Sequence, residues 1–317
     1  MTFTDAVRFY LDDCRTDKSA TTIDSYARTL RFFGDFLERN SVTDLSGITT
    51  ALIAQWKLER AEGTSVTSLN TYLTHIRIFF TFCVEMDLLE KNPYKKVLDI
   101  NKNTVRRASE KPYEKIIDES QFRVILSNRH PKGTHKACYA RNRAILALLL
   151  TSGIRVSSLC AITPAHLDWE RGTIYLPYAK GGKNGDVAFT EVAQVCVRAY
   201  LESGYRPDDC TEDMPLFGAN DIEKTWKAYS RQNMSRVVEA AVRGFLGLSG
   251  YRSHAMRHSM ATMLHKRGMK DEEIGVLLMH SDGTGPAVTG KYIERDNTRY
   301  YQKANDVFKR IVTVNGT

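Results

Sequence analysis

Paired cysteines are the first thing missing. Cys14, Cys83, Cys138, Cys160, Cys196 and Cys210 lie far apart, none at CxxC spacing, and no histidines cluster with them. A zinc site or a disulfide framework is therefore not expected, and a reducing cytoplasm is the expected setting. Long apolar runs are missing too. The longest, Ala144 to Leu150, is too short to cross the hydrocarbon core of a bilayer. The first residues, MTFTDAVRFYLDD, carry early acids and lack a signal-peptide core, so neither membrane nor secretion is expected. The stretch GGKNGD has glycines and a lysine but not the GxxxxGK[ST] frame, which excludes a P-loop. No internal repeat or low-complexity segment stands out.

What is present is the composition of an ordinary globular chain. The 317 residues are 42% hydrophobic and 26% charged, enough for about two domains, each with its own core. The formal net charge of +8 favours a polyanionic partner mildly. It is unevenly placed. Residues 1–100 hold 12 Lys and Arg against 14 Asp and Glu, whereas residues 116–317 hold 28 against 21. If the first segment meets DNA, one face must carry its positive groups.

Hydrophobic periodicity divides the chain. Residues 1–100 read as a helical domain. FTDAVRFYLDDC is a short helix, and a longer one carries the stripe Ile23, Tyr26, Leu30, Phe33 and Leu37. A third helix ends at Gly63, and a fourth carries Leu69, Leu73, Ile76, Phe80 and Cys83 before Asn92-Pro93 stops it. Function would lie on the polar faces, with Lys57, Asn70, Thr71, His75 and Arg77 as candidates. Residues 101–115 are basic and almost free of apolar side chains. They read as a linker, either a solvated tether or a strap against phosphates.

Residues 116–317 read as a second domain, mainly α with a small β-sheet. Asp118 can cap its first helix. An apolar helix, RNRAILALLLTSG, ends at Gly153, and IRVSSLCAI starts another. TIYLPYA and DVAFT are predicted strands joined by the turn KGGKNG. Further helices are expected over EVAQVCVRAYLESG, IEKTWKAYSRQNMSRVVEAAVRGF, SHAMRHSMATMLHKRG, DEEIGVLLM and NTRYYQKANDVFKRIV. The tail residues Val307, Phe308, Ile311 and Val312 are apolar enough to pack on a neighbouring protomer, the alternative being their own domain.

One turn of SHAMRHSMATMLHKRG is odd. It opens with His254 and Arg257 on one face, although a helix N-terminus disfavours cations. Such a pair is suited to an anion. Arg155 follows the helix-ending Ser152-Gly153, Lys180 sits on the hairpin turn with Lys183 three residues on, and His280 precedes Tyr292. Taken singly, each has an ordinary explanation as a surface or packing residue. His258 and His265, and likewise Tyr300 and Tyr301, are read as structural.

The order Arg, Lys, His-x-x-Arg, His, Tyr, in the motifs TSGIRVSSL, AKGGKNGDVAF, SHAMRHSMATML, LLMHSD and TGKYI, resembles the tyrosine recombinases, the family of phage and Xer-type integrases. The resemblance extends to residues 1–100, which are similar to that family's helical, SAM-like core-binding domain, so nearly the whole chain is covered. It implies a site-specific DNA recombinase that forms a covalent 3′-phosphotyrosyl intermediate and a Holliday junction. The implied catalytic set is Arg155, Lys180 (with Lys183 as fallback), His254, Arg257, His280 and Tyr292, with no cofactor or metal. The implied partner is double-stranded DNA with specific sites. The chain would be a tetramer on DNA and a monomer or weak oligomer when free, with room for an accessory DNA-bending or directionality factor.

The chemistry gives these residue types a reason. Two guanidiniums can hold the non-bridging oxygens of a phosphodiester. A tyrosine hydroxyl, with a reference pKa of about 10, needs positive neighbours to become a phenolate. The leaving oxygen needs a proton, which a hairpin lysine can supply. The chain departs from the family in two places. Ser158 stands where an acid is common three positions after the first arginine, and Tyr292 comes twelve positions after His280, a few more than is common. The departures point to a mobile-element integrase or excisionase. The rivals are an Xer-type dimer resolvase, a type IB topoisomerase-like relaxing enzyme, and a non-catalytic DNA-binding regulator with the same fold.

Overall fold

Thr2 opens the first helix, α1 (Phe3–Cys14), its hydroxyl accepting the Asp5 amide at 3.1 Å. The same device, a serine or threonine hydroxyl accepting an amide three residues on, starts α2 (Ala20–Arg39), α3 (Thr50–Ala61) and α4 (Val66–Glu85). The computed structural model describes residues 1–109, 115–127, 136–179, 183–278 and 298–313. It divides into two compact units, Met1–Pro112 and Tyr113–Thr317.

The first unit is built on aromatic packing. Phe33 is fully buried and meets Phe3 at 5.6 Å and Trp56 at 5.2 Å, both edge to face, an arrangement rings prefer over face-to-face stacking. The two expected stripes face this core. Leu30, Phe33 and Leu37 of α2 and all five stripe residues of α4 are buried, with Ile23 and Tyr26 partly so. Residues 101–115 bring a difference. Lys102–Ser109, read as a solvated tether or a strap, is a helix, α5, lying against α4.

His75 also departs from expectation. It is buried, not on a polar face. Its Nδ1 lies 2.8 Å from the Thr29 hydroxyl, and the Tyr26 ring stands edge-on at 4.7 Å. Burial lowers its pKa, so the ring is held neutral.

The second unit starts at α6 (Glu119–Leu126), where Asp118 and Gln121 form a reciprocal capping box. Next is α7 (Lys136–Ser152). Residues Ala144 to Leu150 are all fully buried, as expected for a helix that is apolar all round. Around α7 pack α9 (Glu191–Leu201), α10 (Arg231–Leu246) and α11 (Ser253–Lys266), together with α6. The shorter helices are α8 (Val156–Ala161) and α12 (Asp271–Leu277), and α13 (Thr298–Thr313) ends the described chain. The expected hairpin is present as β2 (Thr173–Ala179) and β3 (Lys183–Ala188), antiparallel, with β1 (Leu167–Asp168) added on the other edge of β2. Its register is irregular between Leu176 and Ala179, just before the turn.

Two sequence expectations fail here. The residues from Ile222 to Tyr229, read as helix, instead form the turn and second strand of a hairpin, β4 (Gly218–Asn220) and β5 (Trp226–Ala228). The Asp221 carboxylate accepts the Glu223 and Thr225 amides and fixes the turn, and Trp226 Nε1 donates to the Pro215 carbonyl at 2.8 Å. The helix begins only after Ser230, which caps it. The tail is the second. On α13, Val307, Phe308 and Ile311 are buried in the core of their own unit, and only Val312 is exposed. Phe308 meets Phe122 at 5.7 Å, Tyr301 donates to the Asp186 carbonyl at 2.7 Å, and Lys303 pairs with Glu273. The apolar stripe is covered within the chain itself.

Candidate active site

The site begins where α7 ends. Ser152 Oγ donates back to the Leu148 carbonyl and accepts the Ile154 amide at 3.2 Å. Between them Gly153 adopts φ +62°. A Cβ there would stand 2.6 Å from Leu278 Cδ2, so the position takes glycine on two grounds. The turn delivers Arg155 in extended backbone at the start of α8.

Arg257 comes from α11. Its guanidinium donates through Nη1 to the Gly153 carbonyl and through Nη2 to the Leu278 carbonyl. These oxygens lie at the C-terminal ends of α7 and α12, where the helix dipole favours a cation. The fork is therefore held by two backbone ends from different parts of the chain. Desolvation, and then the nearby charge of Arg155, push the Arg257 pKa down to about 10, which leaves it cationic at neutral pH. Among the described residues no carboxylate forms an ion pair with either arginine. Two adjacent, half-buried cations without a counter-charge favour an incoming anion.

His254 lies one turn before Arg257 on the same helix and is exposed. Arg252 holds the N-cap position of α11 without any side-chain cap, so the first amides of the helix have no side-chain acceptor at that position. Structure thus brings Arg155, Arg257 and His254 to one locality. Lys180, His280 and Tyr292 lie outside the described residues, and of Lys183 only the backbone, opening β3, is described. Ser158, at the place of the common acid, is buried.

Four residues near the site were not picked out by sequence reasoning. His258 is half-buried, and its Nε2 lies 3.0 Å from His254 Nε2; its spacing of four from His254 was the available signal. Ser259 is fully buried, and its hydroxyl accepts the Ile117 amide at 2.8 Å while donating to the Ala255 carbonyl. Lys115 donates to the Gly250 carbonyl at 3.1 Å, and Glu239 accepts the Gly250 amide, also at 3.1 Å. Residues 115–117 and Glu239 thereby fasten α11 and the loop before it. His265, read as structural, pairs with Asp271 at 2.8 Å on the surface.

Other chemistry is not assembled here. Among the described residues, no group of three or more His, Cys, Asp or Glu is placed to hold a metal ion. No described helix is long and apolar enough to cross a membrane. A cleft of about 290 Å³ opens between the β1–β2 turn, the end of β3, α9 and α13, lined by residues such as Gln194, Tyr301 and Asn305. None of its lining residues belongs to the arginine cluster.

Known proteins match this arrangement along most of the chain. The model of the phage integrase family matches residues 115–299, and that of the phage integrase N-terminal SAM-like domain matches residues 8–86. The tyrosine recombinase XerC of Corynebacterium glutamicum is 26% identical over 300 residues, covering 94% of this chain and 89% of that one. XerC of Lactobacillus delbrueckii subsp. bulgaricus is 27% identical over 215 residues, 68% of each chain. Among solved structures, the XerH site-specific recombinase bound to a palindromic difH substrate shares the fold with a TM-score of 0.67 at 16% identity, over 98% of this chain and 84% of that one. The lambda integrase tetramer bound to a Holliday junction gives a TM-score of 0.64 at 14% identity, over 90% and 79%. This chain belongs to the phage integrase family, the tyrosine recombinases, enzymes that cut and rejoin DNA.

Proposed function

We propose that the chain is a site-specific recombinase acting on double-stranded DNA through Tyr292. The observation that carries this is the pair of adjacent guanidiniums, Arg155 and Arg257, with no carboxylate partner among the described residues and with His254 one turn away. In this reading Arg155 and Arg257 hold the non-bridging oxygens of the scissile phosphate, where they stabilise the charge that grows in the transition state. The Tyr292 oxygen forms a bond to phosphorus as the bond to the 5′ oxygen breaks. The phenol proton passes to water or to His254, and Lys180, with Lys183 as fallback, protonates the leaving 5′ oxygen, which becomes the free 5′ hydroxyl. His254 assists proton transfer or bonds the phosphate, and His280 positions a phosphate oxygen.

The 3′-phosphotyrosyl link keeps the energy of the broken bond, so the free 5′ hydroxyl of another strand can reverse the step without nucleotide hydrolysis. Four copies on two sites exchange strands through a four-way junction, and the chain is a monomer or weak oligomer when free. The biological role we assign is integration or excision of a mobile element, supported by Ser158 in place of an acid and by the twelve-residue interval before Tyr292. An accessory factor that bends DNA or sets direction fits such a role.

A nicked suicide substrate, from which the short 5′ fragment is lost, traps the covalent adduct. Wild-type chain accumulates the adduct, and Tyr292→Phe forms none while still binding the same DNA. Adduct persisting in Tyr292→Phe sinks the assignment of the nucleophile. A wild-type chain that binds the site and never forms adduct sinks the proposal and favours the regulator.

A further inference from the structure

His258 is not merely beside the arginine cluster; it touches a member of it. On α11 it lies four residues after His254, so both imidazoles share one face. The rings stand nearly perpendicular, at 85°, with centroids 4.5 Å apart, and their Nε2 atoms are 3.0 Å apart. Each neutral imidazole carries one N–H and one bare nitrogen. A hydrogen bond between the two Nε2 atoms therefore requires that one ring hold its proton on Nε2 and the other on Nδ1. The contact forces opposite tautomers on the two rings.

We infer that His258 is a positioning residue that fixes the tautomer and ring plane of His254. His254 is exposed, whereas His258 is half-buried. The more buried ring thus presents a hydrogen-bond partner to the more exposed one. A histidine handling a proton at a phosphate is effective only with the right nitrogen protonated and aimed, which is the condition this bond imposes. The catalytic part rests on the phosphotyrosyl reading above; the tautomer part does not.

An ordinary packing role predicts a different pattern of substitutions. His258→Phe keeps an aromatic ring edge against His254 but removes the nitrogen. His258→Gln gives up the ring but places an amide near the Nε2 position, where it can donate or accept.

Two measurements on the full-length chain separate these cases. The first is long-range nitrogen–proton correlation of the imidazoles without DNA. Wild type is expected to show His254 in one tautomer and His258 in the other, with His254 becoming a mixture in His258→Phe. An unchanged His254 pattern in His258→Phe overturns the inference. The second is the rate of adduct formation on the suicide substrate at saturating DNA. His258→Phe is expected to slow it about tenfold, a fraction of what general acid–base catalysis supplies, with DNA affinity unchanged and His258→Gln restoring most of the rate. Equal rates for His258→Phe and wild type, or for the Phe and Gln variants, overturn the positioning role. A wild-type chain that forms no adduct sinks the phosphotyrosyl reading and the catalytic part with it, while the nitrogen spectra still decide the pair.

Discussion

The polar residues of the two units fare very differently. In the first unit, three of the side chains that the sequence marks as candidates for a partner are engaged within their own unit. His75 bonds Thr29, Lys57 donates to the Leu98 carbonyl, and Arg77 pairs with Asp99 at 3.4 Å. In the second unit, Arg155 and Arg257 stand together with no carboxylate among the described residues, and one of them spends its fork on backbone carbonyls alone. Backbone carbonyls orient a guanidinium without neutralising it. The lesson is that a cation marks a site when its geometry is satisfied and its charge is not.

Three experiments sharpen this contrast. The largest effect is expected at Arg257. Arg257→Ala removes both a phosphate donor and the tie between Gly153 and Leu278, and adduct formation should fall by about 10²–10³-fold, the usual loss for one transition-state donor. Arg257→Lys should rescue little, because a single ammonium cannot span two carbonyls and a phosphate. Rescue by lysine to near wild-type rate would show that charge alone suffices and would break the contrast.

A smaller effect is expected at His75. Burial lowers its folded-state pKa below the reference 6.5, so its stabilising contribution is present above that reference value. It is lost as pH falls through the lower folded-state pKa. Denaturant unfolding from pH 7 down to 5 should show declining stability, and His75→Gln, which keeps a hydrogen bond to Thr29 but does not titrate, should flatten the decline. An identical decline in the variant would place the acid sensitivity elsewhere. The smallest effect is expected at Arg77. Its ion pair with Asp99 is exposed on both sides, and Arg77→Ala should change unfolding stability by less than about 1 kcal/mol. A larger loss would mean that this pair holds the unit together.

Much of the fold is legible in the sequence because periodicity and caps act locally. Phe3–Cys14 and the buried run of α7 follow from residues within the elements themselves. The β4–β5 hairpin is not legible, because what holds it is Trp226 reaching the Pro215 carbonyl and Asp221 fixing a turn, contacts that override helix-like composition. Lys102–Ser109 reads as a tether for lack of apolar residues, yet α4 gives it a surface. His75 sits beside an apolar stripe, and only the arrival of α2 makes it internal. For the site, the identity and order of Arg155, His254 and Arg257 are visible in the chain. That Arg257 joins the ends of two other helices is not visible, since it depends on three segments meeting. The tail shows the converse error: its apolar stripe is real, but the sequence does not say which surface it covers.

The fastening at Ser259 has a mechanical consequence. Ile117 lies at the beginning of the second unit, and its amide hangs on a hydroxyl two residues after Arg257, while Lys115 grips the backbone four residues before His254. Tension running along the polypeptide from that end is shared with the helix bearing the paired cation and imidazole. Cutting the Ser259 link would leave only the Lys115 contact to couple the two and would strand a buried N–H, so the serine acts as a rivet between the lead-in chain and the chemistry.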